Sequence, residues 1–99
     1  MKHLNSKELR IQEQTLSASE TADLVTSMRD RVERVELWWS VTLDVETVDT
    51  RIAELRQGTC REIQCRGDTR DKYREHLTRW AGTLGWRTWE DNYSIRIYK

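Results

Sequence analysis

Proline is absent from this 99-residue chain and glycine occurs only four times, so no Pro- or Gly-rich linker divides it. No internal repeat or low-complexity tract is present, and a chain this short is expected to form one domain. Apolar runs fall well short of the roughly 18 residues a membrane helix needs. The stretch from Met1 to Leu16 carries charges where a secretory signal has its apolar segment. The expectation is a cytoplasmic protein with no membrane partner. Two cysteines, Cys60 and Cys65, are too few for a disulfide scaffold. On one extended strand, five residues at about 3.3 Å each hold them roughly 16 Å apart, so reduced thiols are expected. The scattered glycines form no phosphate-cradling loop, and no Gly-x-Ser-x-Gly nucleophile turn occurs.

Hydrophobic residues make up 36% and charged residues 34% of the chain, but five Trp and three Tyr supply large buriable surfaces that a disordered composition lacks. Such a small core gives modest stability, to which a homodimer or a bound partner would add. The net charge is zero, yet residues 1–50 hold six Lys+Arg against ten Asp+Glu, and residues 51–99 hold eleven against seven. The second half therefore offers cations for a binding face, or pairs with the acidic first half.

Hydrophobic spacing outlines the elements. Residues 1–16 show only a loose pattern of Leu4, Leu9, Ile11 and Leu16 and read as an N-terminal arm, helical or mobile. Residues 17–99 read as the domain. Ser17 with Glu20 three positions on has capping-box spacing and starts a helix over about 19–31, with Val25, Met28, Val32 and Val35 on its stripe. From Val35 the period becomes two, and Val35, Leu37, Trp39, Val41, Leu43 and Val45 predict a long strand with one apolar face. Residues 46–57 fit a helix closed by Gly58 or a strand turning there, with the strand preferred. Residues 59–66 predict a short strand. Asp68, followed by Asp71 at the third position, reads as the cap of a second helix, which carries Tyr73, Leu77, Trp80 and Leu84 and stops at Gly85. Residues 86–90 read as loop or short strand, and Tyr93, Ile95 and Ile97 as a final strand. The fold class is α+β, a small antiparallel sheet of three to four strands with two helices packed on one face.

Candidate chemistry is sparse. Cys60, Cys65, His76 and His3 match no common zinc spacing, so no metal site is expected, and no cofactor. Asp68, Asp71, Glu75 and His76 gather near Lys72, Arg74 and Arg79, but capping and solvated ion pairs explain that pattern without catalysis. The chain is not expected to be an enzyme.

Two binding readings remain. Trp38 is the one large ring on the polar face of the first strand, and it is either exposed as a partner anchor or covered by the arm through Leu9 or Ile11. Trp86 and Trp89 beside Arg87 form a second partner patch. The leading expectation is a non-enzymatic, protein-binding domain of inhibitor or adaptor type that acts by contact on a larger protein or complex. A viral or mobile-element protein that blocks a host nucleic-acid defence complex has this character. The alternative is single-stranded nucleic-acid binding through Arg79, Arg87, Arg96, Tyr98 and Lys99, where cations mix with rings. The segment from Lys72 to Lys99, with His76 four residues after Lys72, faintly resembles the end of the Arg-x-x-x-His family of single-strand-binding domains. Lys72 stands where that family has arginine.

Overall fold

The computed structural model describes residues 7–99. In chain order the elements are β1 (Glu8–Ile11), α1 (Ala18–Asp30), β2 (Arg34–Leu37), α2 (Val45–Arg51) running on into a 3-10 helix (Ile52–Gln57), β3 (Glu62–Arg66), α3 (Asp68–Leu84), β4 (Arg87–Glu90) and β5 (Ser94–Tyr98).

Helix α1 begins at the expected capping box, with the Ser17 hydroxyl accepting from the Glu20 amide at 3.1 Å and the Glu20 carboxylate accepting from the Ser17 amide at 2.9 Å. Its stripe of Thr21, Leu24, Val25 and Met28 is buried. Helix α3 has Gly67 at its N-cap and not the expected Asp68, whose carboxylate is spent on the Ser40 amide, and it runs to Gly85, which takes the left-handed conformation at φ 73° that ends a helix without steric cost. The chain then folds back under α3, the Trp86 amide donating to the Ala81 carbonyl at 3.0 Å.

The long strand expected from residue 35 to 45 stops at Leu37. Ser40 stands at φ 58°, and its amide donates to the Asp68 carboxylate at 3.0 Å. That turn breaks the extended run and throws Trp39 onto the surface, 52% exposed, while Val41 and Leu43 still reach the core. Alternating burial persists in an irregular segment because side chains hold it there. The Tyr73 hydroxyl donates to the Val41 carbonyl and accepts from the Leu43 amide, both at 2.9 Å.

Residues 46–57 are helical, not the strand preferred above. Val48, Ile52 and Leu55 form one buried helical face, and that tertiary packing outweighs the β-branched character of the segment. Gly58 ends the 3-10 helix against α1, where a Cβ would stand 2.7 Å from the Arg29 carbonyl oxygen and 2.8 Å from its Cα. Only glycine lets the two backbones approach this closely, and the Thr59 amide then bonds that same carbonyl at 2.9 Å.

The sheet has five strands in the order β1-β2-β3-β5-β4. Strands β1, β2 and β3 are parallel, and β5 is antiparallel to both β3 and β4. The expected antiparallel sheet of three to four strands with two helices is thus corrected to a mixed five-stranded sheet with three helical elements, within an α+β fold. Two misread segments account for the difference. Glu8–Ile11 of the expected arm form an edge strand, while residues 1–6 of that arm lie outside the described residues. The helical 45–57 segment makes β2 and β3 a parallel crossover pair, where a strand would have made a hairpin.

Crossovers between adjacent parallel strands are right-handed, and two that run in the same direction put α1 and α2 on the same side of the sheet. Helix α3 packs on β3, β5 and β4 and on the 3-10 helix. One core forms between sheet and helices, where Leu24, Met28, Val35, Leu37, Val48, Leu55, Ile63 and Trp80 surround a common small void. The opposite side of the sheet is covered by no described helix.

Candidate functional site: the open face of the sheet

Register assigns the side chains to faces. Ile11, Val35, Leu37, Ile63, Cys65, Ile95 and Ile97 point into the core. Their neighbours along each strand therefore point out. The cross-strand partners Arg10, Glu36, Gln64 and Arg96 are in register with Trp89 at the far end, one row across all five strands. A second row holds Glu8, Arg34, Glu62, Tyr98 and Arg87. Arg66 lies beyond the first row on β3, and Trp38 directly follows β2.

Arginines rest on the rings. Trp38 has the Arg10 guanidinium 4.6 Å and the Arg66 guanidinium 4.4 Å from its centroid. Because β1 and β3 flank β2, these two cations bracket the indole. Its Nε1 donates to Glu36 at 2.8 Å, and Trp39 meets its edge at 5.6 Å. At the other side of the sheet Arg96 lies 5.0 Å from the Trp89 ring and 5.2 Å from the Tyr98 ring. Such contacts contribute about 0.5–1 kcal/mol each at exposed sites, so their main effect is to hold the rings in defined positions.

Between the two ring clusters runs a chain of opposite charges. Arg10 and Arg34 both approach Glu36 at 3.4 Å, and Arg34 approaches Glu62 at 3.3 Å. Arg34 Nε and Glu62 Oε2 are close in distance yet out of hydrogen-bond alignment, and both are buried without a hydrogen-bond partner among the described residues. Gln64 Oε1 and Arg96 Nε, on paired residues, are in the same condition. Four polar atoms on one face are thus shielded from water without a hydrogen bond among the described residues, against the usual pairing of buried polar groups.

The sequence-predicted residues divide. Trp38, Arg87 and Trp89 lie on or beside the open face, as do Arg96 and Tyr98. Trp86 does not, being only 8% exposed and part of the core, so it is removed from the partner patch. Arg79 projects from α3 on the helical side, where it binds Asp49 at 2.9 Å and His76 Nδ1 at 2.9 Å. Lys99 takes the core-side phase of β5, and its Nζ reaches the Arg56 carbonyl at 3.4 Å. Arg79 thus lies apart from Arg87, Arg96 and Tyr98, whereas Lys99 still lines one depression with Tyr98. Trp38 is half-covered, and its cover comes from Arg10 on β1 and not from Leu9 or Ile11. Sequence reading missed Arg10, Arg34, Gln64, Arg66 and the exposed Trp39. The period-two pattern of Glu62, Gln64 and Arg66 against Ile63 and Cys65 carried part of that signal.

The acidic group on α3 is engaged structurally. Asp68 holds the Ser40 amide, Asp71 pairs with Arg70 at 2.6 Å, and His76 lies between the Tyr73 and Trp80 rings at 6.0 and 5.9 Å. A depression of about 470 Å³ near the start of β2 and β3 is lined by four cations and three carboxylates together with Tyr98. It is open to solvent and mostly ionic.

Both thiols are buried. Burial pushes the Cys60 thiol up to about 11, against its bond to the Glu62 carbonyl, and burial raises Cys65 further still. The unfolded chain ionises these groups first, so the thiols' contribution to stability should be level below pH 9.0, the ordinary thiol value, and fall as pH climbs towards 11. Thiol labelling at neutral pH should follow global unfolding, and prompt labelling of the native protein would contradict this burial.

No family model, curated protein or solved structure matches the chain.

Proposed function

We propose that this chain is a non-enzymatic protein-binding domain of the inhibitor or adaptor kind, and that the open face of its sheet is the contact surface. The observation that supports this reading most is a sheet face on which no described helix packs, with Trp38, Trp89 and Tyr98 held by Arg10, Arg66 and Arg96. Trp, Tyr and Arg are the residues that dominate interface centres. Rings already fixed by stacked guanidiniums lose less freedom on association. The interleaved Glu36 and Glu62 keep the middle of the face close to neutral, which suits a protein surface better than a phosphate chain. A base stacking on Trp38 has to displace one of the two cations bracketing it.

Nucleic-acid binding is the second reading, and one observation favours it. Strands β4 and β5 present Arg87, Trp89, Arg96 and Tyr98 on this side with no carboxylate among them.

Capture from a host lysate, with and without nuclease, tests the choice. The expected result is a partner retained after nuclease and lost with Arg66→Glu, which removes a central cation while leaving the core intact; a weakening of about tenfold or more is expected. A labelled single-stranded oligonucleotide should bind poorly even at low salt. Tight oligonucleotide binding that falls steeply with salt would replace the protein reading with the second one.

A further inference from the structure

Strand β4 ends the sheet, and all four of its residues are exposed. The phase of the β4–β5 ladder decides which of its backbone groups are free. In the connecting turn the Asp91 amide donates to the Ser94 carbonyl at 2.9 Å. Mutually bonded pairs therefore recur at every second position, at Trp89 with Arg96 and at Arg87 with Tyr98. Thr88 and Glu90 turn their N–H and C=O groups outward. The register runs without a bulge and the strand has no proline, so two of the devices that blunt an edge are missing, and only its shortness and the charges of Arg87 and Glu90 guard it.

We propose that β4 pairs antiparallel with β4 of a second copy, about a two-fold axis through Trp89. Around that axis the sequence Arg87-Thr88-Trp89-Glu90-Asp91 is self-complementary. Each Arg87 comes opposite the second copy's Asp91, and each Thr88 opposite the second copy's Glu90. The two Trp89 rings meet at the centre, in the position where opposed side chains approach most closely. Asp91 has one oxygen to offer, because the Tyr93 and Ser94 amides, at 2.8 Å each, both use Oδ1.

This register satisfies every outward N–H and C=O of Thr88 and Glu90 in both copies. Centring on Thr88 bonds that residue alone to its own copy and sets Arg87 beside Trp89, with no charge pair formed. Centring on Arg87 opposes two like charges. With the axis perpendicular to the sheet, alternation is preserved, and the two open faces join on the same side of one ten-stranded sheet.

Light scattering over a concentration series, together with cysteine cross-linking, tests this. The wild-type chain should show twice the monomer mass at about 0.1 mM. Thr88→Pro removes an amide that has no partner within one copy and should weaken association at least tenfold, circular dichroism reporting that the fold persists. Trp89→Cys puts two thiols on the axis with Cα atoms about 4.5 Å apart, within disulfide range. It should oxidise to a covalent dimer much faster than Tyr93→Cys, which replaces a more exposed side chain at 74%. A wild-type chain that stays monomeric throughout, or cross-linking as fast at Tyr93→Cys as at Trp89→Cys, overturns the pairing. Should Thr88→Pro fail to fold, the two cysteine variants decide.

Discussion

Trp80→Ala is expected to lower the free energy of unfolding by about 3–5 kcal/mol, a large part of the total for a domain of this size. The indole is 2% exposed at the junction of α3, the α2 segment and the sheet, so its removal leaves a void that three elements would have to close together. It also donates from Nε1 to Asp49 Oδ1 at 2.6 Å. Burial pushes the Asp49 carboxyl up, but the Trp80 and Arg79 hydrogen bonds outweigh this and hold it below the ordinary carboxylate range. Trp80→Phe keeps most of the volume and loses the bond, with an expected cost of about 1–2 kcal/mol. Urea titrations followed by circular dichroism measure both, and a loss below about 1 kcal/mol for Trp80→Ala would contradict the core described above.

The second large effect is expected at Tyr73, where Tyr73→Phe should cost about 1–3 kcal/mol. Its hydroxyl is the polar tie between α3 and the irregular segment that follows β2. Without it the Val41 carbonyl keeps the Lys72 ammonium at 3.2 Å, but the buried Leu43 amide is left with no acceptor. The loss should be local as well as global. Hydrogen exchange at Leu43 should quicken well beyond what the drop in global stability explains, and uniform acceleration across the chain would count against this placement.

How far the sequence revealed this molecule depended on whether a signal was local. Helices α1 and α3 were legible because caps and stripes lie within a few residues of each other: Ser17 with Glu20, and Tyr73, Leu77 and Trp80 before Gly85. Strand β1 was not, for it has only Leu9 and Ile11 as apolar residues, and Leu9 is exposed at the sheet edge. The segment after Leu37 misled because Val41 and Leu43 alternate in burial while the backbone has already left the ladder. In the 46–57 segment Val48 and Ile52 satisfied both periods, and the packing of Leu55 beneath α3 settled it. The candidate site was legible one residue at a time, as in Trp38, Arg87, Trp89, Arg96 and Tyr98. Their meeting with Arg10 and Arg66 was not legible, since those residues are brought together only by a parallel strand order that the misread helix concealed.

The single-sided layering has an evolutionary consequence. Folding energy is drawn almost wholly from the helical side, where a change at Leu37, Ile63 or Ile97 disturbs close packing. On the open face, exchange of the exposed Arg10 or Trp89 should have little effect on whether the chain folds. Residues on that side are therefore free to vary while the scaffold behind them stays unchanged.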